Sequence, residues 1–255
     1  MKLLFYHHLQ EDNMLSKEEI GRYSRHIQLN EIGIEGQEKI KNASVLVIGA
    51  GGLGCSTLTF LTAMGIGKIG ILDFDIISHS NLQRQFLYTI DDLGKEKVEI
   101  AIKKLKNQNP NVNFVAHIEI LTSKKALEIF PNYDLILDAT DSIETRYTIN
   151  DTCVKLGKTF VYGSIHKFEG QVSVFNYKNL GPTYRCLFPL ENHKNQFSSC
   201  QEAGVLGVLP GVIGTIQANE IIKIILGLGE VLSGKLLILN LLNYSTQLIS
   251  FKRIS

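Results

Sequence analysis

The stretch Val45-Leu-Val-Ile-Gly-Ala-Gly-Gly-Leu-Gly54 decides the fold. Its apolar half, mostly β-branched, reads as a strand buried on both faces, and the glycines after it read as a tight turn into a helix. Gly49, Gly51, Gly52 and Gly54 let the backbone come close to a phosphate. A helix starting there presents unpaired N–H groups and a partial positive charge to it. Further on, Leu72-Asp73-Phe-Asp75 ends a second apolar run and leads into Ser80-Asn81-Leu-Gln-Arg84-Gln85. Asp73 stands where a ribose hydroxyl is held; its competing reading is a helix or turn cap. A dinucleotide site needs one such acid. The extra carboxylate, asparagine and arginine suit a triphosphate with a metal ion.

Upstream of the glycine turn, residues 1–15 show no period and read as an arm. Ser16 with Glu19 forms a capping-box pattern that opens a helix through Arg22, Tyr23 and Arg25. Gly33-Ile-Glu-Gly36 reads as a loop, followed by a short helix over Gln37–Ile40 and the first strand over Ala43–Ile48. Downstream, strands and helices alternate, the mark of a mostly parallel sheet covered on both faces. Val98, Ala101, Ile102 and Leu105 form a helical stripe that stops before Pro110. Val112 to Ile120 alternates as a half-buried strand, Asp134–Asp138 is the next, and a helix to Leu156 ends at Gly157. Phe160–Gly163 makes a fifth strand. Beyond it the alternation breaks into Gln171–Phe175, a polar loop from Lys178 to Ser199, an apolar helix over Val212–Leu228, and late strands at Leu236–Leu242 and Gln247–Lys252. The expected fold is α/β, a doubly wound, mostly parallel Rossmann-like sheet with an antiparallel C-terminal extension. Residues 16–255 form one domain, with a nucleotide-binding part over 43–163 and a substrate-binding part over 164–255.

Composition narrows the partners. Across 255 residues, 26 Lys and Arg balance 25 Asp and Glu, so no net field attracts nucleic acid or an anionic membrane. Cys55, Cys153, Cys186 and Cys200 are scattered, and two fall in expected helices, so a disulfide framework is not expected. The apolar run near Met1 is too short for a signal sequence and no other stretch is read as approaching a membrane span, which points to a cytoplasmic protein.

Asp75 and Asp141 follow two different strands at their carboxyl ends, where open α/β sheets place ligands. Two carboxylates there suit Mg²⁺, which takes oxygen ligands and bridges phosphates; the plainer reading is that each caps a helix. Arg84, Lys97 and Arg25 are the cations placed around the triphosphate; taken singly each reads as a solvated surface residue, and the case rests on their occurring together.

Together, Arg22-Tyr-Ser-Arg25, Gly49–Gly54, Leu72–Asp75, Ser80–Gln85, Gly94-Lys-Glu-Lys97, Ala139-Thr-Asp141, Tyr184-Arg-Cys186 and Gln201-Glu-Ala-Gly204 resemble the ThiF/MoeB/HesA family of adenylating enzymes, in order from residue 16 onward. The resemblance implies ATP-dependent activation of the C-terminal glycine of a ubiquitin-like sulfur-carrier protein ending in Gly-Gly. By it, Asp73 holds the ATP ribose, Asp141 the magnesium with Asp75 assisting, and Asn81, Arg84, Gln85 and Lys97 the phosphates. Arg25 resembles the family arginine that enters a neighbouring active site, implying a homodimer. The nucleophile is then an α-carboxylate with a pKa of roughly 3.5, ionised without a base. Catalysis reduces to alignment and charge neutralisation.

Many relatives hold zinc with two Cys-x-x-Cys pairs. Here Thr183 replaces the first cysteine, Cys186 stands alone, and none follows Cys200, so no zinc is expected and apolar contacts around Tyr184, Leu187 and Phe188 close the loop. Cys200 matches a cysteine that some members link covalently to carrier or sulfur; its alternative is a small residue packed at a loop end. The cysteine without the zinc ligands leans the choice of carrier towards the thiamine type over the molybdopterin type. Two other functions compete: an NAD-dependent dehydrogenase using Tyr162 or His166, which leaves Arg84, Lys97 and Asp141 unexplained, and an inactive partner subunit of a related activator.

Overall fold

A computed structural model describes residues 14–189 and 204–254. The N-terminal arm before residue 14 and Cys200 therefore lie outside the described residues. Helix α1 (Lys17–Arg22) opens with the reciprocal cap implied by its spacing: the Glu19 amide donates to Ser16 Oγ, and the Ser16 amide donates to the Glu19 carboxylate. A break at Tyr23 separates it from α2 (Ser24–Ile27), so the one expected helix is two short ones. Tyr23 is buried, accepts a hydrogen bond from Asn109 Nδ2, and its hydroxyl occupies the space a side chain at Gly65 would need.

Helix α3 (Gly33–Asn42) corrects the reading of Gly33–Gly36 as a loop. A Cβ at Gly36 would stand 3.0 Å from Ile32 and 3.3 Å from Leu226, so this glycine serves close helix packing instead of a turn. There follow β1 (Ser44–Ile48), α4 (Gly52–Met64), β2 (Lys68–Leu72), α5 (Lys97–Gln108), β3 (Asn113–His117), α6 (Ser123–Ile129), β4 (Leu135–Asp138), α7 (Ile143–Leu156) and β5 (Thr159–His166). Then come β6 (Glu169–Phe175), α8 (Tyr184–Leu187), α9 (Leu209–Leu226), β7 (Lys235–Asn240) and β8 (Ser245–Ser250). The strands make one eight-stranded sheet in the order β3-β2-β1-β4-β5-β6-β7-β8. Neighbours from β3 to β5 are parallel and those from β5 to β8 antiparallel. This is the expected doubly wound sheet with its antiparallel extension.

The sheet divides the core. Along β1, Val45 and Val47 pack on one face with α4, α5 and α9, while Leu46 and Ile48 pack on the other with α6 and α7. Burial of both faces explains the unbroken apolar run at 45–48. Strand β3 stops at His117, the partner of the last β2 residue Leu72, and Ile118 and Ile120 beyond it are exposed. The expected strand to Ile120 is cut short because no neighbour remains to pair with it.

Helix α9 also departs from the sequence reading. Over 18 residues it is long and apolar enough to cross a membrane by composition, yet half of it is buried in this fold. It packs on α4 so closely that a Cβ on Gly214 would lie 2.6 Å from the Leu53 carbonyl, and Ser56 Oγ donates to Gly211 O at 2.8 Å.

The strand order reverses at β1, with β2 and β3 on one side and β4 and β5 on the other. The crevice outside the carboxyl ends of β1 and β4 is the place where such sheets bind ligands.

Candidate active site

Two loops meet in that crevice. Gly49 follows β1 with φ +99°, and a Cβ on it would stand 2.6 Å from the Ala139 carbonyl of the loop after β4. Gly54, in the first turn of α4, is packed tighter still: its Cβ would lie 2.0 Å from Gly49 O. These two glycines let the loop fold back over the start of its own helix. Gly51 caps α4 without any side-chain hydrogen bond, so no capping side chain occupies the amides of the first turn, the kind of group that binds phosphate. Below the loop, Tyr88 Oη donates to Ala50 O at 2.8 Å, and the buried Cys55 thiol, pushed up to about 12 by burial, points at the same carbonyl.

Asp73 is both a cap and a crevice residue. The Ala50 amide donates to one of its oxygens at 2.6 Å and the Asp75 amide to the other at 2.8 Å. Burial raises its pKa against the pull of Lys97 and those amides. Each carboxylate oxygen has a second lone pair, so the role in the turn leaves acceptor capacity for a ribose hydroxyl.

Lys97 starts α5 and is almost fully buried, with Nζ donating to Asp75 Oδ2 at 2.7 Å; Asp75 itself is half exposed. The ammonium has two further N–H donors. Asn81 Oδ1 caps the turn at His79–Asn81 by accepting from the Ser78 amide, and Arg84 Nη1 donates to Ser80 O. Gln85 is buried beside Gly51, and its Oε1 has no hydrogen-bond partner. All these residues lie along one chain segment that borders the glycine loop.

Asp141 is exposed at the end of the loop after β4. The capping alternative does not hold for it: Ser142 Oγ accepts from the Thr145 amide and caps α7. The alternative for Asp75 fails as well, because its carboxylate pairs with Lys97 and no helix begins there. Behind the loop, fully buried Asp138 accepts from the amide and the hydroxyl of Thr140, while Arg146 Nη2 donates to Thr140 O at 2.9 Å. Sequence reasoning missed Tyr88, Asp138 and Arg146, which look in the sequence like ordinary members of a turn, a strand and a helix.

Arg25 is exposed on α2, where Nη1 donates to Gln28 Oε1. The dehydrogenase candidates sit on β5, where Tyr162 pairs with Asp138 at the end of β4. Tyr162 is buried in an aromatic cluster with Phe175, Tyr184 and Phe188, and His166 lies at the far end of β5. In the same cluster Tyr184 and Phe188 stack at 4.7 Å, and the Cys186 sulfur accepts from the amides of Thr183 and Ile254, both at 3.4 Å. Those contacts outweigh burial and lower the thiol pKa.

The ThiF family pattern matches residues 23–254. A sulfur carrier protein adenylyltransferase of Thermus thermophilus is 47% identical over 242 residues, spanning 93% of this chain and 89% of that protein. A Porphyra purpurea protein described as a "probable molybdopterin-synthase adenylyltransferase" is 51% identical over 239 residues, spanning 93% of this chain but 61% of its own length. The crystal structure of E. coli MccB with ATP superposes with a TM-score of 0.79, covering 91% of this chain and 71% of that one; at 24% identity this likeness shows the fold alone. With its motifs, sheet order and family match in agreement, this chain belongs to the ThiF family.

Proposed function

We propose that this chain is an adenylyltransferase that uses ATP to activate the C-terminal glycine of a ubiquitin-like sulfur-carrier protein, releasing pyrophosphate, for thiocarboxylate formation in thiamine or molybdopterin biosynthesis. The observation that carries this reading is the contact of two loops, the glycine turn at 49–54 and the Ala139–Asp141 loop, beside the Lys97 and Arg84 cations. The relatives' names point the same way. In this reading Asp73 accepts from the ribose, the α4 amides, Asn81, Arg84, Gln85 and Lys97 bind the phosphates, and the carrier tail approaches over residues 164–255.

The donor set fits magnesium. Asp75, paired with Lys97, and Asp141, exposed after β4, would each offer a carboxylate, and among the described residues no group of three or more His, Cys, Asp or Glu gathers to hold a metal. Mg²⁺ is held by one or two carboxylates plus substrate phosphates and water, and when bound it neutralises phosphate charge. Zinc would need four ligands of another kind. Cys55 and Cys153 are buried inside helices, which leaves Cys186 and Cys200, and metal analysis finding one zinc per chain would refute a zinc-free fold.

The carrier carboxylate attacks the α-phosphorus, the bond to the bridging oxygen breaks, and pyrophosphate leaves. Both reactants are anions, so the residues orient them and offset their charge; no proton has to move. Arg25 reaches a second copy's site in a homodimer. Cys200 belongs to a later transfer of the activated carrier. An inactive partner subunit would show no exchange of labelled pyrophosphate into ATP. The expected result is exchange that requires the carrier and is lost in Asp141→Ala with the fold intact; exchange absent with every Gly-Gly carrier would overturn the reading.

A further inference from the structure

We propose that Arg146 and Asp138, a buried ion pair behind the Ala139–Asp141 loop, are positioning residues that aim the Asp141 carboxylate at the metal and phosphates of ATP. This rests on the function proposed above. The backbone leading to Asp141 is held at nearly every polar atom. Asp138 O accepts from Gln217 Nε2 at 2.7 Å, the Ala139 amide donates to Ile48 O at 2.9 Å, and the Thr140 amide and hydroxyl both donate to Asp138 Oδ1. The last link is Arg146 Nη2, which donates to Thr140 O at 2.9 Å. That carbonyl belongs to the peptide unit whose other end is the Asp141 nitrogen, and the unit is planar. Fixing Thr140 O therefore fixes the direction in which Asp141 leaves the loop. Asp141 follows as the first residue without such a tie, and α7 is capped by Ser142 immediately after it.

Arg146 is itself held from two sides. Its guanidinium lies over the Tyr162 ring at 5.3 Å, and Nε stands 3.7 Å from Asp138 Oδ2. Asp138 is completely buried, and that oxygen has no hydrogen bond. Removing such a pair from water costs several kcal/mol per ion, and apolar replacements of similar volume are often as stable. An ion pair that apolar side chains could often replace without loss of stability, yet that grips the one peptide before Asp141, is best explained by geometry. A planar guanidinium can reach Thr140 O and Asp138 together while keeping its carbon over the Tyr162 ring. A lysine ammonium is a point charge that cannot.

The test is calorimetric binding of ATP, with and without Mg²⁺, to wild type, Arg146→Lys, Asp141→Ala and the double variant. Arg146→Lys should bind ATP as wild type does without metal and lose about ten- to hundredfold of the gain in affinity that Mg²⁺ confers, the loss typical of residues supporting a metal ligand. Adding Asp141→Ala should then change nothing more, because the two act on one interaction. A structural role alone would lower the melting temperature and leave the metal-dependent gain intact, which would overturn the positioning role. If Arg146→Lys does not fold, Thr140→Val, which removes the hydroxyl bond to Asp138, must reduce the metal-dependent gain; an unchanged gain overturns the proposal. If wild type shows no metal-dependent gain, the reading of the site fails and this inference with it, whereas a wild-type gain unaffected by Arg146→Lys refutes this inference alone.

Discussion

Gly54→Ala is the sharpest probe of how the glycine turn makes a phosphate site. A Cβ at this position would lie 2.0 Å from Gly49 O and 2.9 Å from Gly49 C, and ordinary contact begins at 3.4 Å. Both clashing atoms are backbone, so no side chain can rotate out of the way; the loop and the start of α4 must part by about 1.4 Å. The separation moves the amides that face the phosphates relative to Asp73 and Lys97. Displacement of about 1 Å at a reacting group costs on the order of a hundredfold in rate. Overpacking costs about 1–3 kcal/mol, offset by up to about 1 kcal/mol from the better helix propensity of alanine. At about 2–4 °C per kcal/mol for a chain of this size, a net loss of about 0–3 kcal/mol should lower the melting temperature by at most about 12 °C. The variant is thus expected to fold, as circular dichroism and thermal melting would show, and to lose at least tenfold in ATP affinity by calorimetry and about a hundredfold in pyrophosphate exchange. Folded Gly54→Ala protein that binds ATP within twofold of wild type would refute the argument, since the clash would then have been absorbed without disturbing the site.

Other expectations follow from the same kind of contact. Gly21 lies in α1 with nothing within 4 Å of an added Cβ, so Gly21→Ala should raise stability by about 0.5–1 kcal/mol in urea unfolding. Asn109 is fully buried and donates to Tyr23 Oη and Thr62 O, both at 2.8 Å, so Asn109→Ala should cost about 1–3 kcal/mol for each acceptor left unpaired, read from the urea midpoint. Burial pushes the Asp92 carboxyl up, but Lys104 and Thr89 outweigh it and hold the pKa at about 2. A carboxyl held below its unfolded value of about 3.9 adds stability above that pH and loses it as pH falls towards 2. Asp92→Asn should therefore flatten the stability curve between pH 4 and about 2 and lower stability at pH 7, measured by denaturant titration across that range.

What was legible in the sequence follows from locality. The run Val45–Ile48 and the glycines after it carry a strand and a turn in their own residues, and Ser16 with Glu19 carries a cap, so both could be read directly. The limits of β3 could not, because alternation continues to Ile120 while the partner strand β2 ends at Leu72. Gly36 misled for a similar reason: glycine breaks helices unless a neighbour, here Leu226, needs the space. At the site, Asp73 and Asp141 were read from their positions after strands and Lys97 from the other cations and the family motif, while the ion pair of Lys97 with Asp75 was not read, since 22 residues separate the partners. Arg146 and Tyr88 act on backbone carbonyls, and nothing in a side chain's type announces a carbonyl partner.

In the proposed reaction the α-phosphorus of ATP is delivered to a carrier's terminal carboxylate. Mass spectrometry of a Gly-Gly carrier incubated with this protein, ATP and Mg²⁺ measures that directly. The carrier should gain the mass of one adenylate with wild type and none with folded Asp141→Ala. An unmodified carrier alongside ADP and free phosphate would place the attack at the γ-phosphorus and contradict the proposed reaction.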